Sequence, residues 1–234
     1  MYYCVIMAEL PSIAYDGGLF RVEHRLPDGR DKPDEFVQRI GAAIVMPIVW
    51  EGNRPLMLTI DNERRVGGKA EGELPRGYCE GGFDTPEAPL QTGLRELREE
   101  TGYGYEPDQE PDTDCFEIPV KPEASVIFPR FLVVARNVTD IGGRVDSPHE
   151  EVTLQPTPLT DYINSLLRYE HDDIFPEITV AFAKAAREHG REAVVEWLRS
   201  PKADRVDDVP ASFSPRWLTP VDSPGADAIQ TAGR

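Results

Sequence analysis

Three glutamates, Glu96, Glu99 and Glu100, stand within five positions of the stretch TPEAPLQTGLRELREETGYGY, residues 85 to 105. On a helix the i, i+3, i+4 relation turns all three side chains to one side. Glu96 and Glu100 are then like charges one turn apart, where a Glu–Lys pair would gain about 0.2–0.5 kcal/mol and a like pair costs a similar amount. Arg95 reaches Glu99 at i+4, yet one arginine does not neutralise three carboxylates. On composition alone the crowding reads as a solvated acidic face, since charge runs are usually surface. The chemistry that would reward it is capture of a hard divalent cation, because Mg²⁺ combines a few carboxylates with water and substrate phosphates.

The elements that must position these groups follow from periodicity. Thr85 suits an N-cap, Pro86 the first helical position, Glu87 the positive helix end, and Gly102 a left-handed close. Between these caps Leu90, Leu94, Leu97 and Thr101 form a narrow stripe suited to packing on a sheet, with the glutamates on the opposite face. Upstream, residues 18–24 and 38–50 read as strands, the second apolar enough at its centre to be buried on both faces. EGNRP turns that strand into LMLTI as a hairpin, and a polar loop over 62–72 leads to the glycine-rich ELPRGYCEGGFD. Downstream come strand candidates CFEIPV and SVIFPRFLVVA. Then PLTDYINSLLRYEH and PEITVAFAKAAREHGREAVVEWLRS carry apolar residues at helical spacing, as in Ile163, Leu166 and Leu167, then Val180, Ala181 and Ala185. Interleaved strands and helices predict a layered α/β arrangement and not an all-β barrel.

The 234 residues fit one core domain with decorations. The expected organisation is an N-terminal strand segment over 1–37, a core domain with C-terminal helices over 38–200, and a tail over 201–234. Five prolines in the last 34 residues and weak periodicity give that tail the character of a linker, with SPRWLTP as a piece that could dock. A net charge of −17 opposes phosphate backbones and anionic lipid, so neither nucleic acid nor membrane is the expected partner. Cys4, Cys79 and Cys115 are odd in number, far apart and free of CxxC spacing, as expected for thiols in a reducing compartment. The longest apolar run, AAIVMPIVW, is too short to span a bilayer, and the start MYYCVIMAEL does not read as a leader. The expected location is the cytoplasm.

The wider pattern decides against the bland reading of the acidic helix. Gly81, five residues, Glu87, seven residues, then Arg95, Glu96, Leu97, Arg98, Glu99, Glu100, Thr101, Gly102 and Tyr103 give GX5EX7REUXEEXGU, where U is apolar or, at its end here, tyrosine. This resembles the Nudix box at all its specified positions, and a chance match in such a chain is roughly one in a million or rarer. A second alignment starts from ELPRG, with Gly77 as the glycine and Asp84 as the acid, and needs four more residues before Arg95. Both leave Glu96, Glu99 and Glu100 in place.

The resemblance implies a Nudix-type α/β/α sandwich with a mixed β-sheet and hydrolysis of a nucleoside diphosphate linked to another moiety, X. It implies Mg²⁺, with Mn²⁺ as a possible substitute, held by Glu96, Glu99 and Glu100 with a backbone carbonyl near Gly81, and Arg95 orienting a glutamate. Segments such as LFRVEHRLPDGR, DNERR, ELPRG and SPHEEVTLQPTPLTDYINSLL extend the likeness, more weakly, over residues 18 to 190. They look like the ADP-ribose and nucleotide-sugar pyrophosphatase branch. In that branch a late-loop glutamate often supplies the base, which makes Glu150 or Glu151 a rival to Glu99, and dimers exchange N-terminal strands, so a homodimer is one expected state. Arg64, Arg65, Arg76 and Arg130, at predicted strand ends or loops, are candidate bidentate phosphate donors, though any one taken singly is more often a solvated surface arginine. Trp50, Tyr78 and Phe128 are candidates for stacking on a base. The expected partner is a small nucleoside diphosphate derivative. The competing expectation is a catalytically silent ligand sensor on the same fold, which would lack a box carboxylate or add a basic domain; neither is visible.

Overall fold

The structure, a computed structural model, describes residues 12–16, 18–25, 34–64, 68–83, 86–118, 126–145, 150–168, 170, 176–201 and 219–220. In chain order the elements are β1 (Ser12–Asp16), β2 (Phe20–Arg25), β3 (Asp34–Arg39), β4 (Ala42–Glu51), β5 (Arg54–Arg64), β6 (Gly68–Glu73) and β7 (Arg76–Tyr78). Then follow α1 (Pro89–Thr101), β8 (Tyr103–Gly104), β9 (Asp112–Ile118), β10 (Val126–Ile127), β11 (Arg130–Arg136), β12 (Thr139–Asp140) and β13 (Glu150–Pro158). The chain closes with α2 (Leu159–Leu167), α3 (Pro176–His189), α4 (Arg191–Arg199) and β14 (Thr219–Pro220).

The main sheet runs β13-β5-β4-β11-β9-β14, with β6 paired to β5 and β7 to β4. It is mixed: β4 and β11 are parallel, from Ala42 opposite Arg130 to Ile48 opposite Arg136, while β9, β5 and β13 join antiparallel. β4 is buried from Ala42 to Val49, and its alternation feeds two cores. Ala43 and Val45 pack with Leu97 of α1 on one face, whereas Ile44, Met46 and Ile48 join residues of α2, α3 and α4 on the other. The result is an α/β/α sandwich around a mixed sheet. A second sheet runs β1-β2-β3-β10, in which Val126 and Ile127 lie parallel to Val37 and Gln38. No helix among the described residues is long and apolar enough to cross a membrane.

The hairpin at EGNRP forms as expected, with Trp50 opposite Pro55 and Glu51 opposite Arg54. Other expectations are corrected. Residues 38–50 are not one strand: β3 ends at Arg39 in one sheet and β4 begins at Ala42 in another. In the polar stretch 62–72, residues 62–64 end β5 and 68–72 make most of β6, because ladder hydrogen bonds offset their low β propensity; 65–67 lie outside the described residues. Residues 150–158 form β13 and not a loop; at the end of the strand order, prolines such as Pro156 are tolerated. The long helical segment after Pro176 breaks at Gly190, whose φ of 91° lies in the region that favours glycine, and Val180 faces solvent. From the tail, Thr219 and Pro220 pair with Glu117 and Phe116 of β9.

Candidate functional site

The site is built where α1 crosses β7. β7 pairs with the first residues of β4, Gly77 opposite Ala43 and Arg76 opposite Ile44, which sets its backbone beneath the helix. α1 starts at Pro89 with Ala88 at the N-cap, later than the expected Thr85 cap; Thr85 itself lies outside the described residues. The delay has a cause. The Glu87 amide donates to the Glu80 carbonyl at 2.7 Å and the Glu80 amide donates to the Glu87 carboxylate at 3.3 Å, so residue 87 closes a loop before the helix begins. At the other end Gly102, with φ of 77°, caps the helix by donating to the Arg98 carbonyl at 2.8 Å, as expected.

The buried residues of α1 are Thr92, Gly93, Leu97 and Thr101, while Leu90 and Leu94 are only half-buried. The helix is therefore rotated from the orientation the leucine stripe predicts. The glutamates lie beside the packed face and not opposite it, leaning over β7. Gly77 has no side chain to block them, and a methyl at that position would overlap the Glu96 carboxylate. The Arg76 amide donates to Glu100 Oε2 at 3.0 Å. Thus Glu96 and Glu100 both meet β7, and 42% of the Glu99 side chain stays exposed against 13% of Glu96.

Arg95 binds this cluster together. Its Nη1 donates to Glu96 Oε1 at 2.7 Å and Glu99 Oε2 at 3.0 Å, and its Nη2 donates to Glu87 Oε2 at 3.1 Å and the Tyr78 carbonyl at 3.0 Å. Its Nε donates to both oxygens of Glu87, at 3.3 and 3.4 Å. Thr92 Oγ1 adds a bond to Glu87 Oε2 at 2.9 Å. Burial pushes the Glu96 carboxyl above its ordinary value, with Arg95 opposing and Glu99 adding to the rise. Burial also acts to raise Glu87, but the hydrogen bonds from Arg95, Thr92 and the Glu80 amide outweigh it and hold that carboxyl low. For Arg95, burial works against the charge, and Glu87 and Glu96 more than restore it.

Among the described residues no three His, Cys, Asp or Glu side chains stand grouped to hold a metal ion. The reason is visible: Glu96 and Glu99 share one nitrogen of Arg95, and Glu100 is turned onto a backbone amide. The donor set nonetheless suits a hard cation, being three carboxylates on adjacent turns of one helix over a residue without a side chain. Side-chain rotations of Glu96 and Glu99 away from Arg95 are what such a cation would require.

The other sequence-derived candidates fall as follows. Gly81 lies in the exposed turn after β7, at φ 86°, and it is Gly77 that stands against Glu96. Glu87 is the acid bonded to Arg95, so glycine and acid come from different alignments of the motif; Asp84 lies outside the described residues. Arg76 Nη2 donates to the buried Glu73 at 3.1 Å. Arg130 is half-buried at the start of β11, opposite Ala42. Arg64 ends β5 with its backbone opposite Glu150, and Glu151 lies opposite Glu63. Arg65 lies outside the described residues. Upstream of the two β13 glutamates, the Val145 amide donates to the Glu99 carbonyl at 2.8 Å, tying that segment to α1.

Beside Glu87 opens a cavity of about 240 Å³, lined by Arg39, Gly41, Cys79, Phe83, Pro129 and Phe131 among others. Arg39 donates to the Tyr78 hydroxyl at 2.7 Å and lies 4.6 Å from the Phe128 ring centroid, while Arg21 covers Phe83 at 4.7 Å. Tyr78 and Phe128 are thus brought together, at 6.2 Å between centroids, whereas Trp50 is at the far end of β4. Sequence reasoning missed Thr92 and Arg39. A hydroxyl in the packed face of an amphipathic helix was the available signal for the first; nothing local marked the second.

No protein-family model matches the sequence, and no curated protein matches it. Among solved structures, a crystal structure of an ADP compounds hydrolase is similar over 78% of this chain and 95% of that chain, with a TM-score of 0.47 and 20% identity.

Proposed function

We propose that this chain is a divalent-metal-dependent pyrophosphohydrolase of the Nudix type. Its substrate class is a nucleoside diphosphate linked to X, with ADP-ribose or a nucleotide sugar preferred, and its products are a nucleoside monophosphate and a phosphorylated X. The observation that carries the reading is the convergence of Glu96 and Glu100 on β7 at Gly77 and Arg76, with Glu99 beside them and Arg95 as their shared counter-charge. A solvated acidic face would have no need of a side-chain-free residue beneath one carboxylate.

In this reading Glu96, Glu99 and Glu100 hold Mg²⁺, or Mn²⁺ in its place, with a backbone carbonyl of the 77–81 stretch, at Gly81 or Gly77. Held there, a divalent cation would offset the charge of the diphosphate and acidify the attacking water. Glu99, the more exposed of the two carboxylates on Arg95 Nη1, accepts the proton as a P–O bond forms to water and the bridging P–O bond breaks. Glu150 and Glu151 remain rivals for that role. Arg64, Arg65, Arg76 and Arg130 contact phosphate oxygens, and the Arg39, Tyr78 and Phe128 wall accepts a flat base. The protein acts in the cytoplasm on a small molecule, not on nucleic acid or membrane, and a homodimer belongs to the same proposal.

The test is product analysis with Mg²⁺ and a panel of ADP-ribose, nucleotide sugars, dinucleotides and nucleoside triphosphates, alongside Glu99→Gln, Glu150→Gln and Glu151→Gln. Turnover of one class that is abolished by chelation supports the reading, and the variant losing about 10²-fold or more identifies the base. Tight ligand binding with no turnover under any metal replaces it with the sensor.

A further inference from the structure

Thr92 is fully buried, and its hydroxyl has one proton to give. Three groups stand in reach: Glu87 Oε2 at 2.9 Å, the Ala88 carbonyl at 3.3 Å, and the sulfur of Cys79, the weakest acceptor of the three. The shorter contact and the charge on the acceptor assign the proton to Glu87. A helix needs no hydroxyl at that position, and an alanine there would be the better helix former.

Glu87 in turn takes the Nε and Nη2 edge of Arg95, leaving Nη1 to Glu96 and Glu99. A connected series results: Thr92 to Glu87, Glu87 to Arg95, Arg95 to the two carboxylates assigned to the cation. When those carboxylates turn to a cation, Arg95 must remain behind as a positive charge, and Glu87 is the anion that keeps it. A Glu87 left loose would let Arg95 settle further onto Glu96 and Glu99 and compete with the cation for them.

We propose that Thr92 is a positioning residue that fixes Glu87 as the resting partner of Arg95 and thereby sets how readily Glu96 and Glu99 are released to a divalent cation. This rests on the metal assignment made above. It treats the hydroxyl as part of the site's charge balance and not as a satisfied polar group in a packed helix.

The test reads metal binding directly, without turnover. Mn²⁺ is titrated into the natural protein and into Thr92→Val, Thr92→Ala and Thr92→Ser, with free Mn²⁺ followed by electron paramagnetic resonance. Thermal unfolding of the metal-free proteins is measured in parallel. Removing the hydroxyl is expected to weaken Mn²⁺ binding about tenfold, the scale of one hydrogen bond to a charged group, with serine restoring it. The metal concentration at half-maximal rate should rise with it, while kcat at saturating metal stays within about twofold. Alanine keeps the test open if the valine variant does not fold. Natural protein that binds Mn²⁺ with the alanine and valine variants unchanged overturns the role of Thr92 alone, as does a serine variant as weak as alanine. Natural protein that binds no Mn²⁺ overturns the metal assignment and this inference together.

Discussion

Gly93 is where the position of α1 is decided, and Gly93→Ala is the sharpest perturbation available. A Cβ at residue 93 would stand 2.7 Å from Val133 Cγ2, 3.1 Å from Val133 Cβ and 3.3 Å from Val45 Cγ2. These two valines face each other across the parallel pair of β4 and β11, so the helix rests on both at once. Ordinary carbon–carbon contact is about 3.5–4.0 Å, and relieving the worst overlap therefore lifts the helix by about 1 Å. Two terms oppose. Alanine gains about 1 kcal/mol over glycine in a helix interior, and overpacking a core costs about 1–3 kcal/mol. The expected balance is a loss of about 0–2 kcal/mol, or a Tm lower by about 2–4 °C for each kcal/mol lost. Activity should suffer more, because a shift of about 1 Å in a reacting group costs on the order of 10²-fold, and the lift carries Glu96, Glu99 and Glu100 away from β7. Urea unfolding and turnover on the active substrate class read the two effects. Val133→Ala removes the nearest atom, so in a double variant it should restore part of the turnover, with a coupling energy of about 1 kcal/mol. A Gly93→Ala protein that is more stable by about 1 kcal/mol and keeps full turnover would refute the argument that the helix lies flat because residue 93 has no side chain.

Two further outcomes are expected. Gly77→Ala should fold with little loss, because the group in the way is the far end of the flexible Glu96 side chain, yet weaken Mn²⁺ binding about tenfold or more by displacing that carboxylate; calorimetric titration with unchanged affinity would remove Gly77 from the site. Glu96 and Glu87 should also pull the pH profile of stability in opposite senses. Burial raises Glu96 above 4.5 in the folded chain, so its contribution is present at low pH and is lost as pH rises through the raised value. Glu87, held below 4.5, contributes above that pH and loses its contribution as pH falls through the lowered value. Metal-free unfolding should therefore show Glu96→Gln gaining on the natural protein as pH rises past 4.5, and Glu87→Gln losing to it; a parallel response of both variants contradicts the assignment.

What could be read from residues alone divides along the range of the forces involved. The burial of β4 on both faces was legible, because eight consecutive buried positions leave an unbroken apolar run, and the carboxylate group was legible because the 3.6-residue period fixes which residues share a side. Gly102 as a cap is equally local. The start of α1 was misread because Thr85 and Pro86 carry the right chemistry, whereas the clamp between Glu80 and Glu87 holds the chain out of the helix until Pro89. The rotation of α1 was misread because Gly93 counts as a defect in a helical pattern and as a contact surface only once Val45 and Val133 are known to lie beneath it. β13 and β6 were hidden for a related reason, since their polar sequences become strands through pairing with β5 and not through their own propensity. Gly77 and Glu87 belong to two different alignments of one motif, and only packing over β7 brings them to one site.

The parallel pairing of β4 with β11 has a consequence for the order in which the chain can be completed during synthesis. β4 meets β5 at once through the hairpin, but its other edge waits for β11, whose first residue is Arg130, and for α2, α3 and α4, which come later still. Until then Ile44, Met46 and Ile48 have no permanent cover, α1 being already at hand only for Ala43 and Val45 on the other side, and a row of backbone groups is open to any other strand. Non-local closure of this kind is slow, so a nascent chain holds a long apolar ribbon in solution for much of its time on the ribosome. The same strand, once enclosed, is where native-state amide exchange should be slowest, since releasing its hydrogen bonds means separating both cores at once.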